Sequence, residues 1–559
     1  MCGIFYIISP KPTLAIVDSI NKIQHRGPDK TTIISPKEGE YMGFHRLQIN
    51  GLTEASNQPM TFDKETYLLC NGEIYNHTAL QLKYGIQCTT GSDCEIILHL
   101  FAKIGFENTV RELDGEFALV LVTPETVYIA RDPYGVRSLY WAFLEKDDMV
   151  LGASIGASAS IGASASIGAS IGASASIGIA SENKALYELF PPNAIRQFLP
   201  GNIAEWSKSA KTYKMRPYYN YAQKLIHMPD ADNEALILNI RALLVNAVKK
   251  RIMCSRIGNT ADGAPAIGAY LSGGFDSSAI AAILQKELPT KLETFSIGFK
   301  DSPDLFYARK VAAYIGSNHH EYIVTEEQAL NAIPEVIRMT ETYDITTIRA
   351  STMMYLLSEY ISKNSKAVVM FSGEGSDEAS GSYRYFYNAP SPETFHDETL
   401  RLLKDLCYFD NLRADKSSAA WGLELRVPFL DLAFLEYYMT IPSYLKTQGG
   451  MEKYLLREAV GAYLPDDVLY RPKEAMSDGV SNHGRSWSSI IQEHAMSKSI
   501  SNNGICNNGI SAEKTFYLDI FNEHYADCLH QIPYYWLPKW CGEVTDPSAR
   551  VLPFYNATV

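Results

Sequence analysis

Residues 271–278 read Leu-Ser-Gly-Gly-Phe-Asp-Ser-Ser, a combination suited to gripping a polyphosphate. A small-residue turn between a strand and a helix presents several backbone N–H groups to one point. The helix dipole adds positive potential there. Gly273 and Gly274 let the backbone approach an anion closely. Asp276 is a poor phosphate contact but a good ligand for Mg2+ held against phosphates. Cys2 offers a second chemistry. Met followed by a small residue is a usual substrate for initiator removal, which would leave a thiol and an α-amine on one residue. Their ordinary pKa values are both near ~8, so one can serve the other as base. Taken alone, a Gly-Gly pair is an ordinary capped turn, and Cys2 is a small apolar residue opening a strand. Their surroundings must decide.

The elements around them have the right character. Residues 266–271 are short and apolar, as in a buried strand, and Ser278 opens a helical run. Further on, strands (292–299, 321–324, 367–371) alternate with helices (308–315, 326–338, 351–362). That alternation predicts an α/β domain with a mostly parallel sheet, whose ligands bind at the carboxyl ends of the strands. The first two hundred residues differ. Short strands at 3–8, 43–49, 67–70, 117–122, 127–131 and 138–143, with helices at 13–23 and 95–104, predict an α+β domain of stacked antiparallel sheets flanked by helices.

Length and composition set bounds. At 559 residues the chain exceeds one core, so two large domains are expected. A net charge of −13 speaks against nucleic acid or an acidic membrane surface as partner. Nine scattered cysteines without a CxxC pair fit a reduced protein. The N-terminus lacks a basic leader, and no apolar run would span a bilayer. The expected location is cytoplasmic.

Further short motifs accompany Cys2-Gly3-Ile4. They are His25-Arg26-Gly27-Pro28-Asp29, His45-Arg46-Leu47, Asn71-Gly72-Glu73-Ile74-Tyr75-Asn76, Gly91-Ser92-Asp93, Leu113–Phe117 and Arg131–Arg137. In this order the set resembles the class II glutamine amidotransferase domain, of N-terminal-nucleophile type, over residues 2–206. The resemblance implies that Cys2 attacks the side-chain amide of glutamine. Asn71 and Gly72 would supply oxyanion donors. Arg46 would take the α-carboxylate of glutamine, and Asp93 its α-ammonium. Leu47, Gln48, Ile49, Asn50 and Glu73 would complete the glutamine site.

Residues 152–177 are a low-complexity tract of GASI and GASASI units, all of even length. In extended chain every Ile and Ala would face one side, and every Gly and Ser the other. The tract reads as an insert in the first domain, without catalytic side chains and dispensable to the chemistry. Residues 207–233 read as a linker.

In the second half, Ser272–Ser278 resembles the pyrophosphate loop of ATP pyrophosphatases. Three more stretches narrow this to the glutamine-hydrolysing asparagine synthetase family: Ser372-Gly-Glu-Gly-Ser-Asp-Glu378, Tyr343–Ser351, and Leu423–Asp431. The ending, Tyr534–Trp540 and Thr545–Arg550, resembles the eukaryotic form. The resemblance implies a synthetase domain over 234–545, with 546–559 as a tail. Its substrates would be ATP, aspartate and glutamine, with Mg2+ as cofactor. Leu271, Ile297, Ser372 and Gly373 would hold adenosine. Ser272, Gly273, Gly274, Asp276, Ser277, Ser278 and Lys473 would hold phosphates. Asp276 and Asp377 would hold Mg2+, Glu374 would be the base for ammonia, and Thr346, Thr347 and Arg349 would shape the aspartate site. The family is compatible with a homodimer. Phe275, usually Leu, and Ala379–Ser382, usually carrying Gly before Tyr383, depart from its pattern.

Overall fold

The computed structural model describes residues 1–145, 174–221, 232–258, 263–482, 484–501 and 509–552. The chain divides into two compact units, Met1–Asn220 and Tyr221–Val559.

The first unit stacks two antiparallel sheets. Its strands are β1 (Gly3–Ile8), β2 (Lys30–Lys37), β3 (Glu40–Arg46), β4 (Tyr67–Ile74), β5 (Gly115–Val122), β6 (Thr126–Arg131), β7 (Tyr140–Glu145), β8 (Ser174–Ala180), β9 (Ile195–Gln197), β10 (Asn202–Ser207) and β11 (Thr212–Pro217). One sheet runs β2-β3-β1-β8-β7-β9, the other β11-β10-β6-β5-β4. Alternation sorts the side chains. Ile4 and Tyr6 of β1 meet Val120 and Val122 of β5 in the core between the sheets. Phe5 and Ile7 face the other way, onto Ile16 and Ile20 of the Thr13–Asn21 helix. Phe117, Leu119 and Leu121 likewise pack on the Glu95–Ile104 helix. Helices therefore cover both outer faces, as expected from the strand-rich pattern.

Two boundary readings change. Residues 212–217, assigned to the linker, form an edge strand paired along β10 from Asn202↔Pro217 to Ser207↔Thr212. The end of the repeat is part of a strand. Ser174–Ile177 belong to β8, with Ile177 opposite both Ile8 and Phe143. Ile177 and Ile179 are fully buried between the sheets, on the odd-numbered face predicted for extended chain. Gly178 is required on the even face, because a Cβ there would lie 2.4 Å from the Phe190 ring. The rest of the tract lies outside the described residues.

The second unit holds a parallel sheet of β12 (Ile267–Tyr270), β13 (Glu293–Gly298), β14 (Asn318–Ile323), β15 (Val369–Phe371) and β16 (Glu424–Arg426), ordered β14-β13-β12-β15-β16. The order runs outward from β12 to β14, then resumes on the opposite side of β12 with β15. The reversal opens a crevice between the carboxyl ends of β12 and β15, the place where such sheets bind ligands. Local signals start the surrounding helices. Ser302 caps Pro303–Ile315, Thr325 and Gln328 form a capping box for Glu326–Thr340, and Asp344 caps Ile345–Asn364. Residues 546–552 are not a loose tail. Asp546 pairs with Arg349 at 2.8 Å, Ser548 Oγ donates to Asp478 at 3.0 Å, and Leu552 is buried. Among the described residues no helix is long and apolar enough to cross a membrane.

Candidate functional site

At the switch-point crevice of the second unit lies a cavity of about 200 Å³. Three loops build it. The turn after β12 brings Leu271, Ser272, Gly274, Asp276 and Ser277; the turn after β15 brings Ser372, Gly373, Glu374 and Asp377; the 471–477 segment brings Lys473. The first two loops touch. A Cβ on Gly373 would fall 2.8 Å from Asp276 and from the Ser277 nitrogen, so only Gly fits. Within the β12 turn, Ser277 Oγ accepts the Ser272 N–H at 3.2 Å and lies 3.0 Å from Ser272 Oγ. The turn is thereby held at the start of the Phe275–Glu287 helix, dipole toward the cavity.

Charge at the site is concentrated and paired. Lys453 Nζ donates to both oxygens of Asp276, at 2.6 and 2.7 Å, and to Asp377 Oδ1 at 2.7 Å. Lys473 pairs with Asp377 and approaches Asp276 Oδ2 at 3.5 Å. Despite burial, the two ammonium groups hold the Asp377 carboxyl below the usual range, and the two carboxylates hold Lys473 above its own. Lys453 pays a local strain for this position, with φ of 59°. The Phe275 ring lies 4.9 Å from the Arg457 guanidinium carbon and 5.8 Å from Lys453 Nζ, which puts a cation–π face beside the ion cluster.

A second carboxylate group lines the same cavity. Burial raises the Glu374 carboxyl, while Arg413 holds its Oε2 at 2.7 Å. Arg413 also holds Asp410 at 2.8 Å. Glu378 is pushed up to about 8, by burial first and then by Asp410 and Asp377. The Tyr383 hydroxyl donates to it at 2.5 Å. Ser382 Oγ donates to Asp377 Oδ1 at 2.5 Å.

In the first unit Cys2 sits at the start of β1, beside β3 and β4. Its backbone N–H donates to Asn71 Oδ1 at 2.9 Å, and its sulfur is 3.8 Å from the Leu47 carbonyl oxygen. That nitrogen is an amide to Met1; with Met1 removed it becomes the α-amine in the same position. Asn71 is fully buried and its Nδ2 has no partner among the described residues, leaving an amide donor on the side chain that holds the Cys2 nitrogen. Asn50 Nδ2 donates to Glu73 at 2.8 Å, the Gln48 N–H donates to Asp29 at 2.7 Å, and Asp93 accepts the Ile74 N–H at 2.7 Å. Arg46 turns its guanidinium onto the carbonyls of Gly51 and Thr53. Behind Cys2, Arg26 Nε donates to the Cys2 carbonyl at 3.1 Å and Nη1 to buried Glu182 at 2.7 Å. Lys184 adds a second cation to Glu182; despite burial, Lys184, His25 and Arg26 together hold that carboxyl well below its usual range.

Comparison with known proteins then fixes the lineage. A family model described as "Glutamine amidotransferase domain" matches residues 1–219, and one described as "Asparagine synthase" matches 239–394 and 388–540. The chain is similar along its whole length to proteins named asparagine synthetase [glutamine-hydrolyzing]. It is 40% identical to that of Rattus norvegicus over 597 residues, covering 100% of both chains. It is 41% identical to that of Gallus gallus over 604 residues, again covering 100% of both. With that of Homo sapiens the figures are 39% over 598 residues and 100% of both. The chain belongs to the glutamine-hydrolysing asparagine synthetase family.

Placed in this synthetase framework, the residues singled out in sequence divide. Leu271, Ser272, Gly274, Asp276, Ser277, Ile297, Thr346, Thr347, Ser372, Gly373, Glu374, Asp377 and Lys473 all line one cavity. Gly273 does not. It has φ of 73°, and a Cβ would lie 2.4 Å from the Ala308 nitrogen, so it serves close packing of the turn on the Pro303–Ile315 helix. Ser278 is turned into the helix packing, fully buried. Arg349 is also elsewhere. It is buried, with Nε and Nη2 on Glu513 at 2.8 and 2.7 Å and Nη1 on Asp546 at 2.8 Å, which makes it an anchor for the C-terminal segment rather than a wall of the cavity. The sequence reading missed Lys453, Glu378, Asp410 and Arg413. Lys453 and Arg413 lie outside every motif. Glu378 ends the Ser-Gly-Glu-Gly-Ser-Asp-Glu run, which pointed toward it without distinguishing it.

Proposed function

We propose that this chain makes asparagine from aspartate, with ammonia taken from glutamine and energy taken from ATP. The observation that carries the reading is the convergence of Asp276, Asp377, Lys453 and Lys473 at the crevice beside β12. A cluster of two lysines and two carboxylates next to an N–H-rich turn suits a polyphosphate better than any neutral ligand.

In this reading the β-carboxylate of aspartate attacks the α-phosphorus of ATP. The α–β phosphoanhydride bond breaks, giving β-aspartyl-AMP and pyrophosphate. Ser272, Gly274 and Ser277 hold the departing pyrophosphate, and Lys473 and Lys453 balance its charge. Leu271 and Ile297 pack against adenosine, and Thr346 and Thr347 face aspartate. The donor set fits Mg2+: two carboxylates lie close enough to share one ammonium group, so their hard oxygens can share a divalent cation. Asp276 and Asp377 would hold it, and it would supply further charge neutralisation to the phosphates. Ammonia then adds to the acyl carbon and AMP leaves. Glu374, whose carboxyl is raised by burial, takes the proton lost from nitrogen.

The ammonia comes from the first unit. The Cys2 thiolate attacks the amide carbon of glutamine, Asn71 Nδ2 and the Gly72 N–H stabilise the oxyanion, and ammonia leaves a thioester that water hydrolyses to glutamate. Arg46 and Asp93 face the α-carboxylate and α-ammonium. Arg46 must then exchange its present carbonyl partners for the substrate carboxylate.

The two chemistries separate cleanly by experiment. Cys2→Ala should abolish asparagine formation from glutamine and leave synthesis from ammonium salts within about twofold, because the α-phosphoryl chemistry is independent of the thiol. Equal loss of both would overturn the two-site reading.

A further inference from the structure

Between residues 88 and 99 lies a group of side chains that neither reaction uses. One ligand atom each of Cys88, Glu95 and His99 lies within 4.8 Å of the other two. Glu95 and His99 are one turn apart on the Glu95–Ile104 helix and so share a face, with His99 Nε2 3.3 Å from Glu95 Oε1. Cys88 arrives from the preceding loop, its backbone N–H held by Gln81 Oε1 at 3.3 Å. The neighbours orient these groups. Buried Glu95 accepts the Thr89 N–H at 2.9 Å, the Thr90 N–H at 2.7 Å and the Thr90 hydroxyl at 2.6 Å. The His99 ring lies against Phe62, with centroids 4.6 Å apart.

We propose that Cys88, Glu95 and His99 form a binding site for one zinc-class divalent cation, with water as fourth ligand. The donor set of one sulfur, one nitrogen and one oxygen selects a borderline-soft ion over Mg2+ or Ca2+, which want oxygen shells. Ligand atoms of a tetrahedral zinc shell lie about 3.5 Å apart, so closing this shell asks for roughly 1 Å of side-chain movement. Charge balances: a thiolate and a carboxylate neutralise the dication, and the imidazole binds uncharged. Hydrogen bonds from Thr89 and Thr90 hold the carboxylate as outer-shell donors do in metal sites. The metal binds sulfur as thiolate, so loading releases the thiol proton to solvent.

A bound cation would brace the loop it sits on. Ser56 Oγ donates to the Thr90 carbonyl at 2.6 Å, and Asp93 lies in the same loop. That consequence rests on the glutamine reading of Asp93; the cation site does not.

The test titrates the metal-free full chain with Co2+, a spectroscopic stand-in for zinc. The expected result is a thiolate-to-cobalt charge-transfer band saturating at one equivalent and displaced by Zn2+. Cys2→Ala should retain the band. Cys88→Ser and His99→Ala should each weaken binding at least tenfold. Ser is close to isosteric with Cys and Ala is the best helix former, so both folds should survive, as melting temperatures of the metal-free variants would show. The site is overturned if no band appears, if Cys2→Ala removes it, or if either Cys88→Ser or His99→Ala leaves it intact. Because the band is read without turnover, its outcome is separate from that of the glutamine chemistry.

Discussion

Lys453 donates to Asp276 and Asp377 at once, and its backbone stands in the left-handed region to do so. A non-glycine residue in that conformation costs about 1 kcal/mol or more, which marks a position fixed by its surroundings. Lys453→Met should lower aspartate-dependent pyrophosphate release by about 100-fold or more, the usual cost of losing a charged donor at a transition state. Hydrolysis of glutamine by Cys2 should stay near wild type. Pyrophosphate release within threefold of wild type would remove Lys453 from the reaction. No spacing announced this lysine, since its partners lie 76 and 177 positions away. Arg349 failed for the same reason in reverse. It sits beside Thr346 and Thr347 in sequence, yet its ion-pair partners Glu513 and Asp546 are 164 and 197 positions on. Sequence shows which residue types stand near a motif, and long-range pairing decides which of them face a ligand.

At the scale of elements, short apolar runs made most strands legible. β1 over Gly3–Ile8 and the Glu95–Ile104 helix fall where their patterns put them. Tyr343–Ser351 was harder to place. Asp344 caps a helix there, and the Ile345–Asn364 helix is buried around most of its circumference, which hides any amphipathic stripe. β16 has three residues, too few for a period to show. The composition of the repeat does not mark where it stops being an insert: its last unit enters the first sheet as β8 between β1 and β7. Two variants separate the tract from the strand. Deleting residues 156–171 shortens the connection between β7 and β8 by an even number, keeps β8, and should change stability by about 1 kcal/mol or less. Ile177→Ala empties a fully buried position and should cost about 2–5 kcal/mol. Chemical denaturation measures both. A larger loss from the deletion than from Ile177→Ala would contradict the assignment of β8.

At the scale of the whole molecule, one chain carries two units with unlike sheets, antiparallel and stacked in the first, parallel in the second. Each puts chemistry where its architecture permits. Cys2 opens an interior strand of the first sheet, and the ion cluster sits where the strand order of the parallel sheet reverses. The division was legible from the shift between clustered strands and alternating strands and helices; the border was not. β11 extends the first unit into the expected linker, because an edge strand carries too weak a hydrophobic signal to mark itself. The central claim is that the crevice beside β12 activates aspartate with ATP. It is tested most directly by pyrophosphate release from the purified full-length chain with ATP and Mg2+, with and without aspartate. The account predicts release that depends on aspartate, persists in Cys2→Ala, and collapses in Lys453→Met. Release indifferent to aspartate, or none while glutamine is still hydrolysed, would contradict it.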